Sequence, residues 1–553
     1  MDSSDLEPDA SAPGSRMSSA DVFSDAVRRG LEYVSASVSG ALGNLGGKES
    51  SSTNVHLQGA YAPVREEVHE INCELLEGVL PESLTGAYLR NGPNAALEPE
   101  GGYHVFDGDG MVHAVRLRDG KVSFSNRYVR TKRLDMELSQ GRAMFIKLGD
   151  CHGVSGLGRV LLEKVLKSLN ILPPSTGEYH AANVSIVYHA KKVLALGEVG
   201  VPYGMRMLCS GIVETLGAVT TNIQGSTSFT AHPKIDPDNG EMVAFGYALD
   251  HKPYVRVGFL DADGNPAKTV EVLGVSQPVM IHDMALTKNH VLVFDMPMRF
   301  EPERMLKENK LPFFLHDDIP GRFGLLRRDA VDDADMEWFE VPGGFFVMHE
   351  ANAWEDEEAK KVHLIAFKHT GLDLNVFLKA GDTDRSELSH WTFDLDGKEV
   401  TCQSLINAEG QYGEFPVINE KYRSKKIRYV WIGLTDHIEG AHPFGRVGKV
   451  NVDAGLLNTD EGLEAVIHLP PGLSCGEMRF VPRHDDPSMC EGEDDGFLIG
   501  YVHENDESGA YFVAYDAKSM SSNMLCKFRM PTRIPFGFHG YHLTETEFRA
   551  QLS

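Results

Sequence analysis

Short β-rich runs that alternate with turn signals fill the chain from about residue 70, and this rhythm limits the folds open to it. Many short strands with frequent turns predict an all-β sandwich, barrel or propeller. A chain of 553 residues exceeds what one sandwich needs, so the length favours a propeller. No clean internal repeat is visible, so its blades must be strongly diverged. The clearest runs are KVSFSNRYV, HVLVFDMPM, KVHLIAFKH, RYVWIGL, GFLIGYVHE and AYFVAYDA, and typical turns are DPDNG, DADGNP and DLDGKE.

The first residues have a different texture. Residues 1–55 are predicted to be an N-terminal extension, and residues 56–553 the β domain. The ends of the extension are rich in Ser, Ala and Gly, but apolar residues recur between them at helical spacing. We interpret this stripe as a short amphipathic helix packed on the domain surface. It consists of Phe23, Val27, Leu31, Val34, Val38 and Leu42.

Charge and cysteine content exclude several classes of protein. Lys plus Arg is 53 and Asp plus Glu is 80, which gives a net charge of −27 and argues against nucleic acid as a partner. The seven cysteines are scattered without a CxxC pair, which is typical of reduced thiols in an intracellular protein. No apolar run approaches the roughly 20 residues that span a bilayer. The acidic start, MDSSDLEPDASAPG, is a poor secretory signal and a poor plastid transit peptide.

One segment breaks the β pattern. Residues 155–172 predict a helix with a long apolar face, and Arg159, Lys164 and Lys167 lie among its polar positions. A basic amphipathic helix in an acidic chain suits a membrane interface, where apolar side chains enter the acyl boundary and cations meet headgroups. The alternative is a helix that caps the β domain. The apolar face carries Leu157, Leu161, Val165, Leu169 and Leu172.

Four of the 23 histidines share a distinctive context. Each follows an apolar or aromatic stretch and precedes a turn or polar segment, which would place an imidazole at the inner end of a strand. Their separations are 50, 67 and 190 residues, and propeller blades run to about 40–50 residues. The four would therefore come from separate blades and converge on the axis, where imidazole suits iron, copper or zinc. On spacing alone, four unrelated structural or exposed histidines remain the favoured alternative. The four are His232, His282, His349 and His539.

Metal-bound histidines normally donate their second ring N–H to a carboxylate, which fixes the ring orientation. Three glutamates lie in apolar or Gly/Pro-rich strand contexts, where a carboxylate is costly unless it is paired. They are Glu198 in LALGEVGVPYG, Glu414 in YGEFPVIN and Glu477 in CGEMRFVPR. Taken singly, a partly exposed surface glutamate is the favoured interpretation of each.

From about residue 62 the chain resembles the carotenoid cleavage oxygenases, in their plant branch. The shared segments are long and occur in family order. They include LRNGPN at 89–94, YHVFDGDGMVHAV at 103–115, FTAHPKIDPDNGEM at 229–242, IHDMALT at 281–287, NAWEDE at 352–357, EDDGFLIGYVHE at 493–504 and RIPFGFHG at 533–540.

The resemblance implies a seven-bladed β-propeller with iron(II) on its axis and a helical dome over the iron-bearing face. It implies that His232, His282, His349 and His539 are the iron ligands. It also implies that three glutamates bond to those histidines, namely Glu198, Glu414 and Glu477. The implied reaction is cleavage of a conjugated double bond in a carotenoid or apocarotenoid by O2, which gives two carbonyl products without a reductant.

The chain departs from the family at Met284, Met348 and Glu350, which we expect to reshape the substrate tunnel. It fits no single plant subclass; a zaxinone synthase-like enzyme acting on an apocarotenoid and a broader cleaver both stay open. Two further alternatives are another reaction on this scaffold, either isomerisation or stilbene cleavage, and a non-catalytic carotenoid-binding propeller. The substrates place the protein in plastids at a membrane surface, whereas the weak N-terminal signal favours the cytoplasm.

Overall fold

The computed structural model describes residues 54–173, 177–220, 223–377, 384–407, 412–435, 444–506 and 508–553. Within these residues, antiparallel sheets form the seven blades of a propeller, which confirms the predicted fold. The predicted boundary at residue 55 remains an expectation, and the stripe from Phe23 to Leu42 lies outside the described residues.

Blades 2, 3, 5 and 6 are each built from four consecutive strands, and blade 4 from four strands with a two-stranded ribbon inserted between its second and third; the first strand of each blade lies nearest the axis. Blade 2 contains Ser185–His189, Lys192–Leu196, Tyr203–Met207 and Val213–Ala218; blade 3 contains Lys234–Ile235, Met242–Tyr247, Val255–Leu260 and Pro266–Val272; blade 4 contains Met284–Leu286, His290–Asp295, Gly321–Arg327 and Glu337–Val341; blade 5 contains Phe346–Asp356, Lys361–Thr370, Arg385–Asp394 and Glu399–Ser404; blade 6 contains Tyr412–Val417, Tyr429–Thr435, Arg446–Asn451 and Leu463–His468.

Two blades close the ring by combining both ends of the chain. In blade 1, the C-terminal strand Gly540–Leu543 pairs with Gly86–Arg90 and becomes the inner strand. In blade 7, the early strand Glu74–Gly78 pairs with Cys526–Arg529 at the outer edge. The other strands of blade 1 are Ile71–Asn72, Pro93–Asn94, Asp109–Arg118 and Lys121–Tyr128, and those of blade 7 are Leu473–Cys475, Arg479–Pro482, Gly496–Glu504 and Ala510–Asp516.

The core lies between the blades. Each neighbouring pair of blades shares a buried apolar cluster, as between blades 1 and 7, where Phe124, Phe512 and Phe528 pack together. Most strands are therefore covered on both faces, and their sequences read as nearly continuous apolar runs. Tight hairpins join them, as at Asp119-Gly120, where both residues have positive φ and match a two-residue turn.

Helices and one ribbon cover one face of the propeller. Helix α1 spans Lys132–Gln140, helix α2 spans Gly153–Ser168, and helix α3 spans Pro302–Glu308 beside the ribbon of Met298–Phe300 and Phe313–Leu315. The predicted helical dome is thus present in this region, although α2 ends four residues earlier than predicted. Short helices elsewhere are α4, Val452–Leu457, α5, Thr459–Gly462, and α6, Glu545–Ala550. Among the described residues, no helix is both long enough and apolar enough to cross a bilayer.

Ring closure generates a prediction about stability. Leu543, on the closing C-terminal strand, is fully buried, so Leu543→Ala should lower the free energy of unfolding by about 2–5 kcal/mol. Urea denaturation followed by tryptophan fluorescence measures the change. Leu457→Ala is the matched control, because Leu457 is 90% exposed and its truncation should cost less than about 0.5 kcal/mol. Equal denaturation midpoints for the two variants would contradict the role of the closing strand.

Candidate metal centre

The four predicted histidines meet on the propeller axis. Their ligand atoms all lie within 4.8 Å of one another. His232 and His282 lie two residues before the inner strands of blades 3 and 4, His349 lies on the inner strand of blade 5, and His539 immediately precedes the closing strand of blade 1. The ring centroids of His232 lie 4.5, 5.1 and 4.6 Å from those of the other three rings.

The three predicted glutamates bond to three of these rings. His282 Nδ1 lies 3.2 Å from Glu198 Oε2, His349 Nδ1 lies 2.6 Å from Glu414 Oε2, and His539 Nδ1 lies 3.0 Å from Glu477 Oε1. Glu414 and Glu477 come from the inner-strand regions of blades 6 and 7, and Glu198 follows the second strand of blade 2. Each of the seven blades therefore contributes one histidine or one glutamate.

The ring geometry fits a bound cation. A carboxylate accepts the Nδ1 proton of His282 and of His349, so a neutral ring carries a lone pair on Nε2. These two Nε2 atoms lie 3.1 Å apart, and the Nε2 of His232 is buried without a hydrogen-bond partner among the described residues. Two nitrogen ligands at right angles, each about 2.1 Å from a metal, are separated by about 3.0 Å. The donor set thus matches a transition-metal ion.

The protonation states of His232 and His349 also favour metal binding. Burial lowers the pKa of His349 to about 4, despite Glu414, and burial also holds the pKa of His232 well below its usual range. Both rings are neutral at physiological pH and are able to donate to a metal. Burial acts in the same direction on His282, but the charge and the hydrogen bond of Glu198, together with the charges of Asp283 and Glu414, outweigh it and raise the pKa of that ring. A carboxylate in this position makes imidazole a stronger ligand.

A fifth histidine, His369, is buried beside Glu414 and bonds to it, and no pattern in the sequence signalled it. His369 Nε2 lies 2.8 Å from Glu414 Oε1, and its Nδ1 lies 2.8 Å from Asp384 Oδ2. Despite its burial, the two carboxylates raise the pKa of His369 to about 10, so the ring is protonated at neutral pH. Burial would raise the pKa of Glu414, but His349 and His369 hold it well below its usual range. Glu414 is therefore a fixed anion behind His349.

An apolar cavity of about 450 Å³ reaches the histidine cluster from the face of the propeller that the helices cover. His282, His349 and His539 form its floor, and its walls are mainly aromatic and aliphatic. Phe415 stacks on His349 at a centroid distance of 5.5 Å. The cavity reaches Val199, which is 60% exposed, at its outer part. Other wall residues are Phe106, Met280, Leu374, Phe377, Phe444 and Phe538.

Two of the three departures do not reshape this cavity as expected. Met348 lines it, in agreement with the prediction. Met284 instead lies in the buried cluster between blades 3 and 4, because its strand turns that side chain toward the neighbouring sheet. Glu350 faces the opposite side of the histidines and bonds to Lys234 and Arg423. Residues two apart share a face in a regular strand, but the pairing register of this strand shifts between Val347 and Glu350, and this irregularity turns Glu350 away from Met348.

The residues of the predicted membrane helix divide between two faces of α2. Leu161, Val165 and Leu169 are exposed, while Leu157 is half-buried. Leu172 does not continue the exposed face, because α2 has already ended and Leu172 is buried. Fewer exposed cations lie beside this apolar face than the sequence predicts. Arg159 is buried against Asp150 and the carbonyl of Glu100, and Lys167 pairs with Glu163, so that Lys164 is the exposed cation of the three.

Comparison with known proteins shows the family. Residues 61–544 match the family described as retinal pigment epithelial membrane protein, and the chain belongs to it. The chain is 35% identical over 508 residues to "Carotenoid 9,10(9',10')-cleavage dioxygenase 1" of Pisum sativum, which covers 91% of this chain and 92% of that protein. It is 32% identical to "Probable carotenoid cleavage dioxygenase 4, chloroplastic" of Arabidopsis thaliana, over 88% of this chain and 80% of that protein.

A solved structure agrees with these relatives. The crystal structure of Pseudomonas brassicacearum lignostilbene dioxygenase superposes with a TM-score of 0.73 and 26% sequence identity. The match covers 89% of this chain and 98% of the bacterial one. The resemblance read from the sequence motifs is therefore confirmed at the level of the family and the fold.

The contacts of the three glutamates generate a graded prediction. Glu414 is held by His349, His369 and the backbone N–H of Phe415, and Glu477 by His539 and the N–H of Gly540. Glu198 has a longer contact to His282, and its Oε1 has no partner among the described residues. Glu414→Gln and Glu477→Gln should each weaken metal affinity by about 10–100-fold, and Glu198→Gln should weaken it less.

Competition with a chromogenic chelator measures these affinities, with circular dichroism as the check on folding. Glu358→Gln, at an exposed position of a surface turn, is the matched control and should leave the affinity unchanged. An affinity equal to that of the native chain in all three variants would remove the glutamates from the metal centre.

Proposed function

We propose that this protein is a non-haem iron(II) dioxygenase that cleaves a conjugated double bond of a carotenoid or apocarotenoid with O2. The observation that carries the proposal is the apolar cavity that ends on the four-histidine cluster. Family membership and the names of the plant relatives support the reaction class and the substrate class.

The proposed metal ligands are His232, His282, His349 and His539. Iron(II) bound there would supply the redox chemistry by which both atoms of O2 are added across the alkene. Four imidazoles are borderline ligands that suit iron, and they add no negative charge to it. Glu198, Glu414 and Glu477 would fix three of the rings through their Nδ1 protons.

The cavity walls suit the proposed substrate. Cleavage of C=C by O2 into two C=O groups balances in atoms and transfers no proton, so the site needs no general acid or base. The aromatic walls would instead bind a planar polyene by its faces and exclude water. Phe106 forms part of such a wall, with ring centroids 5.7 Å from Phe377 and 5.9 Å from Phe538. Phe415, stacked on His349, would orient the polyene beside the metal.

Cleavage of a stilbene is a second candidate reaction for the same site. The structural relative is named a lignostilbene dioxygenase, and stilbene also has a conjugated double bond between carbon atoms. The carotenoid assignment has the stronger support because the plant relatives are more similar to this chain, match over most of their length and bear carotenoid names. Incubation with carotenoids, apocarotenals and hydroxystilbenes, with products identified by mass and with labelled O2, distinguishes the two. Retention of labelled oxygen in both carbonyl products identifies a dioxygenase.

Replacing one of the proposed iron ligands tests the metal assignment. His282→Ala should remove most of the iron and nearly all of the activity, because three remaining imidazoles hold the ion less tightly. Iron content by atomic absorption and product formation are measured together. His468→Ala is the control, since His468 is exposed at the outer edge of blade 6. Full iron content and turnover in His282→Ala would contradict the assignment.

The proposed place of action is a membrane surface in plastids. A relative is named chloroplastic, and carotenoids are nearly insoluble in water, so they must pass from a bilayer into the cavity. The exposed side chains on α2 offer the contact: Val154 is 75% exposed, and Leu161, Val165 and Leu169 are each about half exposed. Such a helix lies in the interface without crossing it. Leu157 is half-buried and would add a smaller apolar contact at the edge of this face.

The membrane contact generates a further prediction. Changing Leu161 and Val165 together to glutamate should reduce binding to liposomes that contain anionic lipid, and should slow cleavage of a carotenoid held in those liposomes. A detergent-solubilised short apocarotenal should still be cleaved at the native rate, because the cavity is unchanged. Leu216 and Val331, which are exposed elsewhere, give the matched control when both are changed to glutamate. Loss of iron or precipitation of the α2 variant would show that these side chains are structural.

A further inference from the structure

A second cavity reaches the four histidines from the face opposite to the apolar one. It has a volume of about 520 Å³ and is lined by His232, His349 and His539 at its inner end. Its outer part is lined by the exposed residues Pro237, Ala262 and Asp485. It is therefore a channel, here called the polar channel, that connects the metal centre to solvent along the propeller axis.

The polar channel is rich in negative charge. Its lining contains seven carboxylates and four lysine or arginine side chains. Next to the histidines, Lys234 Nζ lies 2.7 Å from Asp283 Oδ1 and 2.6 Å from Glu350 Oε1. Glu350 Oε2 is buried and has no hydrogen-bond partner among the described residues. Buried carboxylate oxygens with unused capacity are unusual, and they are the ligands that hard divalent cations prefer.

The two cavities offer a hydrated metal ion very different paths. In the apolar cavity, whose lining is mainly aromatic and aliphatic, the ion would lose water and find few replacement ligands, which is unfavourable. In the polar channel, carboxylate oxygens would replace the lost water step by step. We propose that divalent iron reaches the four histidines through the polar channel, with Asp283 and Glu350 as transient ligands at its inner end. This inference rests on the proposed metal centre.

Lys234 has a defined part in this path. Its ammonium group, together with the guanidinium of Arg423 beside Glu350, balances the charge of Asp283 and Glu350 while no metal ion is nearby, since two bare carboxylates so close together would repel each other. An arriving divalent cation offers both carboxylates a stronger partner. The channel therefore attracts the ion at its mouth and passes it to neutral imidazoles at its end, while the apolar cavity is left to the organic substrate.

The experiment compares the two openings. The full-length protein is stripped of metal and mixed with Co²⁺ under anaerobic conditions, and cobalt absorption bands report the rate of uptake. Asp485→Lys reverses a charge at the mouth of the polar channel. Asp250→Lys is the matched control, because Asp250 is exposed and directly follows Leu249 of the apolar cavity lining.

Asp485→Lys should slow Co²⁺ uptake by roughly three- to tenfold at low ionic strength, and salt should reduce the difference. Asp485→Asn should fall between this variant and the native chain. The final cobalt content should be unchanged, because the four histidines are intact. Asp250→Lys should take up Co²⁺ at the native rate.

Equal uptake rates in Asp485→Lys and the native chain would overturn the path, and so would slower uptake confined to Asp250→Lys. A native chain that is folded but takes up no Co²⁺ would instead overturn the metal centre itself. Co²⁺ uptake by the native chain therefore distinguishes failure of the proposed path from failure of the proposed metal centre.

Discussion

Four imidazole rings that converge on one point of the propeller axis impose the constraint on which much of this structure depends. Two of their Nε2 atoms lie only 3.1 Å apart, so their lone pairs repel each other unless a cation lies between them. The direction of three of the rings is fixed by glutamates that accept their Nδ1 protons. Two of those glutamates, Glu414 and Glu477, are buried in turn, and a buried carboxylate requires partners of its own. Glu414 obtains them from His369 and a backbone N–H, and His369 from Asp384.

The propeller meets this chain of requirements because its inner strands all approach one axis. Residues separated by 50, 67 and 190 positions are brought within one coordination sphere, and no flexible loop has to carry all of them. Each blade adds one histidine or one glutamate, so the centre depends on the closure of the whole ring. The joining of the C-terminal strand Gly540–Leu543 to blade 1 places His539 and thereby completes the cluster.

Local patterns in the sequence predicted much of this arrangement, and contacts between distant segments explain what they missed. Apolar runs with turns identified the strands. A histidine after each apolar stretch made the four rings candidates, and the family resemblance singled them out. His369 was missed because it ends an apolar strand like many others, and its partners Asp384 and Glu414 are distant in the sequence or on another blade. Arg159 was assigned to an exposed face for the same reason, since helical spacing carries no information about Asp150. The position of Met284 depended on which side of its strand faces blade 3.

The division between the two sides of the histidines has a chemical reason. The proposed reaction inserts two oxygen atoms into an alkene without moving a proton, so charged groups beside the substrate would bring water and side reactions without helping the cleavage. The charges that the centre needs are placed elsewhere. The glutamates lie behind the rings, and the ion pairs of Lys234, Asp283, Glu350 and Arg423 lie on the far face. The metal centre thus separates an apolar compartment for the organic substrate from a polar one for ions, and a single ring of imidazoles is the boundary between them.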